Sequence, residues 1–152
     1  MDSDRTDYMA QALIEAKQAG KNGEVPVGAV IVNRKTGEII SATSNRVEID
    51  HDPCAHAEIL AIRKACEILG GTRLPDCDMY VTLEPCPMCA TAISFARIKT
   101  LYFGAYDPKG GGVDHGPEIF KQTTCHHKPE VYGGIREQES ASLLKEFFQK
   151  LR

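Results

Sequence analysis

Met79-Tyr80-Val81-Thr82-Leu83-Glu84-Pro85-Cys86-Pro87-Met88-Cys89-Ala90-Thr91-Ala92-Ile93-Ser94-Phe95-Ala96 reads as a strand, a proline-bounded turn and a helix. Cys86 and Cys89 stand three apart, a spacing that leaves both sulfurs on one side of a helix and able to grip one ion. A single Cys-x-x-Cys fits a redox pair as well as half a metal site. Thirty residues upstream, Ala55-His56-Ala57-Glu58 offers a third ligand in His56 and an acid/base group in Glu58.

The rest of the chain alternates helical and strand periods. Tyr8, Met9, Ala12, Leu13, Ala16 and Ala19 recur at three and four, with Gly20 and Gly23 as the stop. Two short apolar runs, residues 27–32 and 38–42, flank Asn33-Arg34-Lys35-Thr36-Gly37 and predict a β-hairpin. Asp52-Pro53 is expected to open the next helix, with Ile59, Ile62, Cys66 and Leu69 on its buried face and Gly70-Gly71 at its end. A strand over 79–83, a helix over 87–97 and a strand over 100–104 follow. The glycine-rich stretch 107–116 predicts a loop that lies over a site without packing into a core. A short helix from Pro117 and an edge strand at Glu130-Val131-Tyr132 are expected next. Leu143, Leu144, Phe147, Phe148 and Leu151 then mark a terminal amphipathic helix with a core-facing stripe. This succession predicts an α/β domain: a mixed five-stranded sheet covered on both faces, a three-layer α/β/α sandwich spanning residues 1–152 as one domain.

Composition bounds the function. A chain of 152 residues with 42% hydrophobic and 26% charged side chains can bury a core without disulfide staples. No apolar run approaches the roughly 18 residues of a membrane span. The acidic start, residues 1–5, has no apolar leader region, so a cytoplasmic location is expected. There the 6 cysteines are expected to be reduced, available to bind metal or catalyse. A net charge of −3 argues against non-specific nucleic-acid binding and leaves room for a local surface that reads one RNA.

One histidine and two cysteines supply three zinc ligands, and three protein ligands with an open fourth position mark a catalytic rather than a structural zinc. Water in that position is acidified to near neutrality, and Glu58 is the candidate to move its proton. Cys54 or Cys125 as a fourth ligand would instead make the site structural. Cys66 reads as a core thiol, Cys77 as a loop residue without a role, and His126-His127 as a loop or RNA-facing pair.

His-x-Glu with Pro-Cys-x-x-Cys resembles the zinc-dependent nucleobase deaminases. The likeness extends through Glu24-Val25-Pro26-Val27-Gly28-Ala29-Val30, Asn45-Arg46, His51-Asp52-Pro53 and Phe103-Gly104-Ala105-Tyr106-Asp107-Pro108-Lys109. Together these are similar to the bacterial tRNA-specific adenosine deaminases. The resemblance implies a cytidine-deaminase-like fold, a homodimer, one Zn2+ per chain, and conversion of adenosine to inosine at the wobble position of a tRNA anticodon stem-loop. It assigns zinc to His56, Cys86 and Cys89 and proton transfer to Glu58. It places Asn45, Ala57, Pro85, Asp107, Lys109 and Phe148 at the substrate, with Asn45 contacting the flipped nucleotide and Phe147-Phe148 bordering the anticodon loop. Cys54 departs from the threonine expected there, and residues 111–128 form a longer, different segment. A deaminase of a free base or nucleoside, guanine or cytosine, would keep the same zinc set, and a non-catalytic zinc- or RNA-binding module would have no use for Glu58.

Overall fold

The computed structural model describes residues 7–151, so the acidic start and Arg152 lie outside the described part. Helix α1 (Tyr8–Lys21) is capped by Asp7, whose side chain accepts the N–H of Ala10 at 2.9 Å. Strands β1 (Gly28–Asn33) and β2 (Ile39–Ser44) form the expected antiparallel hairpin. The turn between them is fixed by Asn33 Oδ1, which accepts the N–H groups of Lys35 and Thr36. Helix α2 (Ala57–Leu69), strand β3 (Cys77–Leu83), helix α3 (Pro87–Phe95) and strand β4 (Thr100–Ala105) follow. Strand β5 (Glu130–Tyr132) and helix α4 (Glu137–Lys150) complete the chain.

The five strands make one sheet in the order β2-β1-β3-β4-β5, antiparallel on the β2 side and parallel from β3 to β5. Strand alternation sorts the core into two layers. Ala29 and Ile31, Met79 and Val81, Leu101 and Phe103 face one way, into a cluster with Ala57, Ala61 and Ala65 of α2 and Ala90 and Ile93 of α3. Val30 and Val32, with Tyr80 and Tyr102, face the other, against Met9, Ala12 and Leu13 of α1 and Leu143 of α4. Helix α1 lies so close to β1 that a Cβ on Gly28 would stand 2.0 Å from the Ala12 carbonyl oxygen.

Several sequence expectations are corrected. The buried face of α2 is Ala57, Glu58, Ala61 and Ala65, because small residues let the helix approach the sheet. Ile62 and Cys66 are only partly buried, and Leu69 is exposed. Asp52 does not open α2; it accepts the N–H of Cys54 in a preceding turn, and the helix begins after His56. Cys77 is buried in β3. The expected helix from Pro117 shrinks to one 3₁₀ turn, Ile119–Lys121. Residues 111–113 are buried, so the middle of the glycine-rich stretch packs into the protein while residues 108–110 stay exposed and Asp107 and Gly110 border a cleft. In α4 the buried residue is Ser140, while Phe148 is 47% and Leu151 68% exposed.

Candidate metal centre and active site

The catalytic motifs meet where α2 and α3 begin. His56 is the N-cap of α2 and Cys86 the N-cap of α3, with Pro87 pre-setting the first helical residue and Cys89 in the first turn. Both helices pack on the same sheet face, so their positive ends converge on one point. His56 Nδ1 lies 3.6 Å from Cys86 Sγ and 3.4 Å from Cys89 Sγ. Zinc–nitrogen bonds of about 2.0 Å and zinc–sulfur bonds of about 2.3 Å at tetrahedral angles require an N···S separation of roughly 3.6 Å. The donor set therefore fits zinc in both chemistry and spacing. All three ligand atoms lie within 4.8 Å of one another, and among the described residues no other such cluster of His, Cys, Asp or Glu occurs.

Without a cation the thiols share one charge. The hydrogen bond from Cys89 and the neighbouring His56 pull Cys86 down to about 4. The thiolate beside it, with burial, pushes Cys89 up, and His56 is raised by its bond to Cys86. A dication would displace the remaining proton and hold both sulfurs as thiolates.

Glu58 sits in the first turn of α2 and is 4% exposed. Burial raises its carboxyl to about 7, the range of a group that exchanges protons at neutral pH. Strand β2 sets its position. Thr43 donates to the Ala57 carbonyl at 2.8 Å, Ser41 donates to that of Ala61 at 2.9 Å, and Asn45 Oδ1 accepts the Ala57 N–H at 2.8 Å. The alternating polar residues Ser41, Thr43 and Asn45 are the sequence signal for this docking, legible as a period of two.

An open cleft of about 700 Å³ lies over these groups. Asn45, His56, Glu58, Cys86, Asp107 and Phe148 line it, together with Val25, Val47, Phe147 and Leu151. Ala57 and Pro85 are buried beside it, and Lys109 is exposed away from its lining. Cys54 is exposed and stands outside the ligand cluster. Cys125 donates to the His127 carbonyl, and His127 bonds the Ile98 carbonyl, so neither contributes to the metal group.

Two buried glutamates escaped sequence reasoning. Glu24 accepts the N–H groups of Glu48 and Ile49 at 3.2 and 2.8 Å, and Glu84 accepts those of Asp107, Val113, Asp114 and His115. Against the effect of burial, the Asp107 N–H, the His115 ring and the other amides hold Glu84 below the usual carboxylate range. Both lie in motifs that carry the family resemblance, yet their bonding partners follow only from the fold.

A three-layer α/β/α sandwich with a histidine and two cysteines at converging helix starts, and a buried glutamate two residues from the histidine, defines a zinc-site domain of the deaminase class. Residues 2–105 match the family described as the cytidine and deoxycytidylate deaminase zinc-binding region, and the chain belongs to that family. It is 55% identical to the tRNA-specific adenosine deaminase of Agrobacterium fabrum over 99% of this chain and 97% of that one. A structure solved in a study of A-to-I editing by tRNA:A34 deaminases at the wobble position of transfer RNA superposes with a TM-score of 0.89. It shares 57% identity and covers 92% of this chain and 100% of that one. Guanine deaminase from Bacillus subtilis superposes with a TM-score of 0.64 at 32% identity, covering 93% and 92%.

Proposed function

We infer that this chain is a hydrolytic deaminase that converts adenosine to inosine at the wobble position of a tRNA anticodon. The observation that carries the reading is the near full-length identity to a relative named for that activity, 55% over 150 residues. The cleft agrees with it: its floor holds the zinc donors and Glu58, and its rim, formed by Phe147, Phe148 and Leu151 of the terminal helix, stays open. An open apolar rim suits stacking by the bases that flank an extruded nucleotide.

His56, Cys86 and Cys89 would hold one zinc per chain, and that ion supplies the Lewis acidity that makes water nucleophilic at neutral pH. The chain's own groups do the rest. The Glu58 carboxylate passes one proton of water to the purine N1, then carries the second, from the hydroxyl newly bonded to C6, to the departing amine, so that water and adenosine give inosine and ammonia. Asn45, which lines the cleft, spends Oδ1 on the Ala57 N–H and keeps Nδ2 as a donor for the nucleotide. Ala57 and Pro85 back the site, Asp107 borders it, and Lys109 and Phe148 meet the RNA outside the inner pocket.

The whole chain acts as a single domain, because β5 and α4 complete the same sheet and core as the zinc motifs. It acts in the cytoplasm, where tRNA is modified, and among the described residues no helix is long and apolar enough to cross a membrane. It works as a homodimer. An apolar groove lined by Ile59, Met88 and Phe95, with Phe95 70% exposed, is the face that a second copy would cover. Phe95→Asp should then yield monomers by light scattering.

The likeness to a guanine deaminase favours a second reading, turnover of a free base. Ammonia release and inosine formation, measured with an anticodon stem-loop bearing a wobble adenosine and with free adenosine, guanine and cytosine, separate the two. Inosine in the stem-loop alone supports RNA editing; turnover of a free base with an untouched stem-loop overturns it.

A further inference from the structure

The glycine-rich segment 107–115 is held to the body of the protein by one side chain. Glu84 Oε1 accepts the Asp107 N–H at 3.0 Å and His115 Nδ1–H at 2.8 Å. Its Oε2 accepts the N–H groups of Val113, Asp114 and His115 at 3.2, 2.9 and 3.2 Å. The carboxylate side chain is fully buried. Both ends of the segment, Asp107 and His115, are thus tied to the same two oxygens. Between them, the Gly112 N–H donates to the Pro85 carbonyl at 2.8 Å, so the segment also sits directly on the zinc-ligand turn.

This contact explains the glycines. A Cβ on Gly111 would stand 2.4 Å from Glu84 Oε2, and one on Gly112 would stand 2.6 Å from the Pro87 nitrogen. The segment presents Asp107 and Gly110 to the cleft while its back is pinned. His115 is one-third exposed at the side chain and also meets Tyr106 edge-on, with ring centroids 6.2 Å apart. It is therefore a latch that closes over the carboxylate from the solvent side.

We propose that Glu84 is a positioning residue for substrate engagement: it fixes residues 107–115 as one preformed wall of the cleft, with His115 as the latch. Among the described residues no hydrogen bond joins this wall to Glu58, so its order governs how well substrate is held and not the proton transfer at Glu58. A substrate that must be seated against a disordered wall has to order it on binding, and that cost appears in KM. The claim rests on the deaminase reading of the cleft, though not on which adenosine or free base is the substrate.

The test uses the zinc-loaded full chain. His115→Ala removes the latch from a half-open site with little risk to folding, and His115→Asn puts an amide donor where Nδ1 stood. His115→Ala should raise KM for the anticodon stem-loop about tenfold with kcat within about twofold, the scale of one lost charge-assisted hydrogen bond. His115→Asn should restore most of the loss. Amide exchange at residues 113–115 should accelerate in His115→Ala and in Glu84→Gln while β1 and β3 keep their protection. Unchanged KM, an equal fall in kcat, or no rescue by asparagine would overturn the proposal. If the wild type deaminates a free base and not the stem-loop, the substrate reading fails, and the same KM comparison on that base decides the proposal separately.

Discussion

Asn45 Oδ1 accepts the backbone N–H of Ala57 at 2.8 Å, so the side chain expected to touch the nucleotide also holds the first turn of the helix that carries Glu58. The two roles separate by substitution. Asn45→Asp keeps the acceptor and loses the amide donor, so stability should hold while kcat/KM falls by about tenfold or more. Asn45→Ala loses both, adding a stability loss of roughly 1 kcal/mol in urea unfolding. Equal activity in wild type and Asn45→Asp would remove the side chain from substrate recognition.

The ligand set predicts a metal dependence that can be read without activity. Cys86→Ala or Cys89→Ala should release the metal, and chelation of the wild type should lower its thermal midpoint, since binding energy for the ion is folding energy for the helix starts that bear His56 and Cys86. Full zinc content in either variant would contradict the assignment.

Glu58→Gln should lower turnover by about 10²-fold or more with zinc content unchanged, because the amide cannot carry the proton. In the metal-free protein the same substitution has a pH-dependent effect on stability. Burial lifts Glu58 from 4.5 to about 7, so between those values the folded state retains a proton that the unfolded state has lost. Wild-type stability contributed by this group therefore falls as pH rises through that window. Metal-free Glu58→Gln should gain on the wild type at pH 8 and show no gain at pH 4. A difference of the opposite sign would place the carboxylate in a stabilising ion pair.

The strands, the hairpin and the cluster of His56, Cys86 and Cys89 were legible because each depends on short-range pattern: period-two apolar runs, the Asn33 turn, and ligand types at fixed spacing. The buried face of α2 was not, because alanines at 57, 61 and 65 outrank isoleucines only where a sheet approaches closely. The same limit applies to Glu84. Its motif marked it as part of the resemblance, but its five donors come from residues 107–115, a segment whose glycines read as loop until their backbone proved to be the buried layer over Cys86 and Pro87. The core-facing stripe expected on α4 holds at Leu143 and Leu144 and stops there for a related reason: the helix leans on β4 through Ser140 opposite Gly104 and leaves Phe147, Phe148 and Leu151 at the cleft.

That backbone contact gives a prediction of its own. Gly112→Ala would press a methyl group into the Cys86–Pro87 peptide, with the nearest atoms at 2.6 Å. Backbone on both sides leaves no flexible side chain to yield, so the substitution should cost about 1–3 kcal/mol and lower zinc occupancy together. Loss of stability with full zinc content would show that the segment moves without disturbing the ligand turn.

The position of α4 separates residues that look alike in sequence. Leu144 packs on the main core, whereas Phe148 is half exposed and lines the cleft. Leu144→Ala should therefore destabilise by roughly 2 kcal/mol. Phe148→Ala should leave stability within about 0.5 kcal/mol, since about half of the residue is already in solvent and its ring packs edge-on against Phe147 at the cleft, outside the core. Its effect should appear in KM for the anticodon stem-loop, where a stacked aromatic contributes on the order of 1–3 kcal/mol to holding a base. Thermal unfolding and stem-loop kinetics on the two variants give opposite patterns on this geometry, and a destabilised Phe148→Ala with normal KM would return that ring to the core.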